Sequence, residues 1–298
     1  MWHKNKKKEL TAAEPNHSCG KAIIFVYVYL QKLKHKINRM PKIIADGRRL
    51  YYEYLNSTSV NEQKPLIIFL HEGLGSILQW KDFPEQLCNA TGLAALVYDR
   101  YGYGRSEAMN QPSSCNYLDH EGRTSFPDFI NALGIERKFV LVGHSDGGTI
   151  ALAYAALHPE NVIGVITEAA HVFLEEISLQ GIREAVEKYE NTNLKELLSK
   201  YHGDKTDSIF YRWANTWLSA DMRNWDIRKA LQTIVAPALI IQGSEDEYGT
   251  EAQVDGIIQN INGYKEKFMV RDCGHVPHHQ QRALVLSKMA YFITANCL

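Results

Sequence analysis

Lys138-Phe139-Val140-Leu141-Val142-Gly143-His144-Ser145-Asp146-Gly147-Gly148-Thr149 joins an apolar run to a turn of small residues built around one serine. Phe139 to Val142 have the β-branched and aromatic composition of a short buried strand, and Thr149 to Leu157 have that of a packed helix. Between them, Gly143-His144-Ser145-Asp146-Gly147 fits G-x-S-x-G, in which glycines at both ends let strand and helix approach closely enough to hold a serine on a strained, exposed bend. A chain with 20 glycines also meets this pattern as a bare structural turn. The preceding strand and following helix are the context that a nucleophile requires.

Working outward, the same alternation recurs. Lys42 to Ala45 and Leu50 to Leu55 flank Asp46-Gly47, a hairpin turn. Pro65-Leu66-Ile67-Ile68-Phe69-Leu70 and Leu93-Ala94-Ala95-Leu96-Val97-Tyr98 are fully apolar, as in parallel strands covered on both faces. Helices are expected over Trp80 to Asn89 and Gly122 to Leu133. Further strands are expected at Val162 to Ile166, Ala238 to Ile241 and Lys267 to Val270. Two more helices, at Thr250 to Asn260 and Ala283 to Ala295, complete the pattern. Strand and helix alternating in this way predict a mostly parallel sheet with helices on both faces.

One segment departs from it. From His171 to Leu231 there is no strand-like run but several helical patterns: Leu179, Ile182, Val186 and Tyr189; Leu194, Leu197, Leu198 and Tyr201; Phe210, Trp213 and Trp217. The expectation is an α/β core over residues 41–170 and 232–298, with a helical cap over 171–231 inserted before the penultimate strand, above the sheet edge where such folds bind ligands. Among the cap aromatics Tyr211, Trp213, Trp217 and Trp225, core packing accounts for most, and Trp213 and Trp217 are the candidates for touching substrate.

A serine attacks poorly unless a base takes its proton and an acid orients that base. Arg271-Asp272-Cys273-Gly274-His275 follows the last strand and Gly243-Ser244-Glu245-Asp246 the one before, so His275 and Asp246 both belong to loops at the carboxyl ends of strands. Glu245 and Glu247 are the rivals to Asp246. His144, beside the serine, reads as a packing or hydrogen-bonding residue, and His278 and His279 as loop or surface residues.

These motifs, with the chain order Ser, Asp, His, resemble those of the α/β-hydrolase-fold serine hydrolases over residues 42–298. The resemblance implies that Ser145 is the nucleophile, Asp246 in G-x-x-D the acid and His275 in G-H the base. It implies an oxyanion hole made by the backbone N–H of Asp146 with that of Gly73 or Leu74, and places His71, the histidine of the family's H-G loop, at the substrate pocket. Glu72 stands where the loop ordinarily has its second glycine, which leaves open which amide faces the oxyanion. Asp99-Arg100-Tyr101-Gly102-Tyr103-Gly104-Arg105-Ser106 resembles the family's D-x-x-G-x-G-x-S loop. The implied activity is acyl transfer to water from a small carboxylic ester. Carbon–carbon bond hydrolysis and proline-type aminopeptidase activity are the enzymatic alternatives, and a non-catalytic ligand-binding protein on the same fold is the alternative of another class. Dehalogenase and epoxide-hydrolase chemistry need a carboxylate where Ser145 stands.

Composition agrees with an ordinary globular protein: 298 residues, 45% hydrophobic, 22% charged, net charge −1. Nothing in it points to nucleic acid. Residues 1–40 hold nine Lys or Arg against Glu9 and Glu14, so the remainder carries −8. This leader is expected to be a basic, poorly ordered extension; Val26, Leu30, Leu33 and Ile37 also have the spacing of a helix that would lie on a membrane surface over residues 21–39. The nine-residue run Ala22 to Leu30 is far short of the roughly 20 residues a membrane span needs. The five cysteines, Cys19, Cys88, Cys115, Cys273 and Cys297, are odd in number and widely spaced, as in reduced thiols of a cytoplasmic protein. No His/Cys/Asp group has metal-ligand spacing, His275-x-x-His278-His279 being the nearest, so neither a metal nor a cofactor is expected.

Overall fold

Leu66 to Leu70 shows how the sequence builds the core, since all five side chains are fully buried. Leu66, Ile68 and Leu70 face one apolar layer with Phe126, Phe129 and Ile150. Ile67 and Phe69 face another, with Phe83, Leu87 and Phe292. Alternate residues of a strand point to opposite faces, so a strand covered on both sides must be apolar throughout.

The computed structural model describes residues 41–56, 64–109 and 113–298. The basic leader and the helix considered at 21–39 lie outside the described residues. In chain order the strands and longer helices are β1 (Lys42–Ala45), β2 (Arg48–Leu55), β3 (Leu66–Leu70), α1 (Phe83–Thr91), β4 (Ala94–Asp99), α2 (Phe126–Ala132), β5 (Phe139–His144), α3 (Asp146–Leu157) and β6 (Val162–Glu168). Then come α4 (Glu176–Asn191), α5 (Leu194–His202), α6 (Thr206–Trp217), β7 (Ala238–Gly243), α7 (Glu251–Asn260), β8 (Lys265–Val270) and α8 (Arg282–Asn296). The eight strands form one sheet in the order β1-β2-β4-β3-β5-β6-β7-β8. β1 and β2 pair antiparallel, as do β2 and β4, and every other pair is parallel. Helices α2 and α3 cover one face and α1 and α8 the other. The expected mostly parallel sheet with helices on both faces is therefore present.

The order reverses between β3 and β5, because β4 lies on one side of β3 and β5 on the other. At such a switch point the loops leaving the two strands diverge and open a crevice at their carboxyl ends. Here those loops are His71 to Gly75 after β3 and the Ser145 turn after β5.

Several expected boundaries move. The helix foreseen from Trp80 begins at Phe83, because Ile77 to Trp80 forms a separate 3₁₀ turn and Pro84 stands in the first turn of α1. The helix foreseen from Gly122 starts earlier, at Tyr117, and passes through a π-helical segment, Glu121–Ser125, before α2. β6 runs two residues further than its apolar stretch, to Glu168, which is fully buried.

Candidate active site

The glycines around Ser145 are sterically required. A Cβ on Gly147 would lie 2.0 Å from the Leu70 carbonyl oxygen, and one on Gly143 would lie 2.2 Å from that of Gly147. The turn between them holds Ser145 at φ 52°, ψ −119°, a conformation that L-residues avoid, and the Ser145 N–H is tied to the Glu168 carbonyl at 2.8 Å. The side chain is not openly exposed, as the sequence suggested. Ser145 is only 9% accessible, and it opens into a cavity of about 100 Å³.

Asp246 and His275 meet there. His275 Nδ1–H donates to Asp246 Oδ1 at 2.8 Å, and the Tyr248 N–H donates to the same oxygen at 2.9 Å. Ser145 and His275 line the same cavity. Burial alone would raise the Asp246 carboxyl, but the imidazole beside it and these two hydrogen bonds hold it below its ordinary value. The three neighbouring carboxylates separate by direction: Glu247 Oε2 accepts from the His275 backbone N–H at 3.1 Å, and Glu245 is exposed.

Asp146 is the first residue of α3, so its N–H has no carbonyl one turn back to bond. Across the crevice the Gly75 N–H closes a turn onto the Glu72 carbonyl at 3.0 Å, and the Gly73 and Leu74 N–H groups have no acceptor among the described residues. His202, ending α5, fixes this turn: its Nε2–H donates to the Leu74 carbonyl at 2.9 Å while Nδ1 accepts from the Gly104 N–H at 3.1 Å. Asp146 is anchored through its side chain as well. Tyr117 donates to Asp146 Oδ2 at 2.6 Å and accepts from Trp217 Nε1–H at 2.9 Å, and Arg100 Nη2 lies 3.5 Å from the same carboxylate oxygen.

Trp213 and Trp217 both line the cavity, whereas Tyr211 and Trp225 do not. Trp213 packs on the His71 to Gly75 loop so closely that a Cβ on Gly73 would lie 2.5 Å from its indole nitrogen. His71 is a correction: expected at the pocket, it is fully buried beneath the loop and is absent from the cavity wall. Its Nε2 accepts from the Arg100 N–H at 3.0 Å, so Nδ1 carries the proton and donates to the Glu72 carbonyl at 2.9 Å. Burial, with the Arg100 charge nearby, lowers its pKa well below the ordinary value and keeps it neutral.

His278 is a second correction. It is 3% exposed rather than on the surface, packs its ring 4.6 Å from that of Trp80, and pairs through Nδ1 with Glu168 at the end of β6. Sequence reasoning also missed His171, Ser178, Ile182 and Tyr248 in the cavity wall. Ser178 Oγ–H and His171 Nε2–H both donate to the Tyr248 carbonyl, at 2.6 and 3.0 Å, which seats the Tyr248 ring 4.7 Å from that of His275. No local pattern marks these residues, because they converge from three separate segments of the chain.

Residues 67–287 match the alpha/beta hydrolase family. Among curated relatives, human "Serine hydrolase BPHL" is 25% identical over 239 residues, covering 76% of this chain and 77% of that protein. The "Proline iminopeptidase" of Thermoplasma volcanium is 23% identical over 287 residues, covering 82% and 94% respectively. Among solved structures, the enol-lactonase from Burkholderia xenovorans LB400 superposes with a TM-score of 0.67 at 19% identity, over 85% of this chain and 100% of that one. With the family matched across most of its length and the sheet order, elbow and loops in place, this chain belongs to the alpha/beta hydrolase family.

Proposed function

We propose that the protein is a serine hydrolase that works through an acyl-enzyme on small carboxylic esters. The observation that carries this reading is the 2.8 Å Asp246–His275 pair, which shares one small cavity with a serine held at φ 52° on a helix N-terminus. His275 Nε2 takes the proton of Ser145 as Oγ attacks the ester carbonyl, and Asp246 holds the opposite N–H and stabilises the imidazolium. The oxyanion forms against the Asp146 N–H and the Gly73 or Leu74 N–H, each such donor worth about 3–4 kcal/mol of transition-state stabilisation. His275 then protonates the departing alkoxide, and water, activated by the same base, releases the acid. Residues 171–231 act as the cap over this chemistry.

Small acyl groups are favoured because the cavity, about 100 Å³, is well below the roughly 300–1,000 Å³ of sites that enclose drug-sized ligands. The likeness to a proline iminopeptidase supports a second reading, proline-type aminopeptidase activity. Unpaired Cys88, Cys115, Cys273 and Cys297 support a reducing, cytoplasmic setting. The test is fluorophosphonate labelling of wild type and Ser145→Ala, followed by p-nitrophenyl esters of increasing acyl length, prolyl amides and β-diketones. Labelling confined to wild type, with fastest turnover of acetyl and propionyl esters, is expected. Turnover by Ser145→Ala within tenfold of wild type overturns the mechanism, and faster cleavage of prolyl amides than of any ester selects the aminopeptidase.

A further inference from the structure

Glu72 and His144 are the two residues around the cavity whose arrangement the triad leaves unexplained. Glu72 folds back across its own loop, so that a Cβ on Gly75 would lie 2.3 Å from Glu72 Oε2, and this oxygen is 3.5 Å from His144 Nδ1. On the other side of the ring, His144 Nε2–H donates to the His275 main-chain carbonyl at 2.7 Å. A carbonyl can only accept, so Nε2 carries a proton. At 3.5 Å Glu72 makes no hydrogen bond to Nδ1, which has no hydrogen-bond partner among the described residues, and the two form an ion pair only when Nδ1 is protonated as well; a carboxylate at this distance favours that charged form. His144 is 1% exposed, and a buried cation needs a counterion beside it.

We infer that Glu72 and His144 are positioning residues, a charged bridge that ties the oxyanion loop after β3 to the backbone of His275 and sets the distance between oxyanion donors and base. This rests on the acyl-transfer reading and adds to it the means by which two loops on different strands keep register. The other titratable groups around His144 are His275, its ring 5.1 Å away; His278, also 5.1 Å away; and Glu168, which His278 holds. Burial alone would lower the pKa of His144. The Glu72 carboxylate beside it, helped by Glu168 and the His275 carbonyl, outweighs burial and brings it to about 9. The bridge therefore stays charged at neutral pH.

The test uses the full chain with Glu72→Gln, which keeps size and removes charge, His144→Gln, whose amide N–H can still reach the His275 carbonyl, and the double variant. Fluorophosphonate labelling of wild type comes first, because failure there sinks the acyl-transfer reading itself. The imidazole ¹⁵N signals of His144, read independently of activity, are expected to report a doubly protonated ring at pH 8 in wild type and a neutral one in Glu72→Gln. With a competent nucleophile, Glu72→Gln is expected to lower kcat and the labelling rate by about 10- to 100-fold, the scale of misplacing reacting groups by an ångström, with KM within threefold. Its alkaline limb should move from near pH 9 toward the ordinary histidine value of about 6.5. The double variant should lose no more than the worse single one, since both break one bridge. A neutral His144 in wild type, or kcat and pH profile unchanged in Glu72→Gln, or losses that multiply in the double variant, would overturn the assignment.

Discussion

Asp246→Asn tests the triad at the atom where the structure makes the sharpest statement. Asp246 Oδ1 accepts from both His275 Nδ1–H and the Tyr248 N–H, and Oδ2 has no partner. A backbone N–H can only donate, so an asparagine must place its amide oxygen at the Oδ1 position and its NH₂ where Oδ2 was. His275 then keeps the tautomer it needs and loses only the negative charge that stabilises its imidazolium. At a separation of about 4 Å and an effective dielectric of about 20, that charge is worth about 4 kcal/mol, or about 10³ in kcat. Had the amide turned the other way, the tautomer would be lost as well, and the fall would approach about 10⁴. The orphaned NH₂ should also cost about 1–3 kcal/mol of stability, a drop of about 2–4 °C in Tm per kcal/mol for a chain of this size. The assay is kcat on one p-nitrophenyl ester with active sites titrated by fluorophosphonate, alongside Glu245→Gln and Glu247→Gln. Both controls should stay within tenfold of wild type, because Glu245 is exposed and a glutamine at 247 retains the oxygen that accepts the His275 N–H. A loss below tenfold for Asp246→Asn removes Asp246 from the triad, and a loss of 10⁴ or more refutes the shared-acceptor argument.

Stability should fall as pH rises between about 6.5 and 9. The folded pKa of His144 lies above its unfolded value, so its contribution is complete below pH 6.5 and gone above about 9; the ceiling is about 3 kcal/mol, and denaturant midpoints that do not fall across this window in wild type, or fall as steeply in Glu72→Gln, contradict it. Gly147→Ala should yield no folded protein, because its methyl would meet the Leu70 carbonyl at 2.0 Å; a soluble variant with wild-type Tm would show that the elbow can relax. Trp213→Ala should cost less than the roughly 3–5 kcal/mol of a fully buried tryptophan, since Trp213 is only partly buried against the loop. The space it leaves should shift preference toward longer acyl esters, and an acyl-length profile identical to wild type counts against its place in the cavity wall.

Much was legible in the sequence because its signals are local. Continuous apolar runs announced strands covered on both faces, glycines flanking Ser145 announced a turn too tight for a Cβ, and the separation of His275 from Asp246 by a strand placed both in loops at one sheet edge. The first two depend on residues within a few positions of one another, and the third on two short motifs, each read from the strand it follows. What required the tertiary structure depends on strand order and on the direction of loop side chains. Three adjacent carboxylates differ only in where their side chains point, and folding sends Asp246 to the imidazole, Glu247 to a backbone N–H and Glu245 to solvent. His278 and Glu168 are 110 residues apart and become a buried pair because the last loop of the sheet closes against the end of β6. His71 looked like a pocket residue and instead spends both ring nitrogens holding backbone groups of Glu72 and Arg100. Glu72, which looked like a fault in a glycine loop, finds its partner in His144 only because the sheet order sets β3 beside β5.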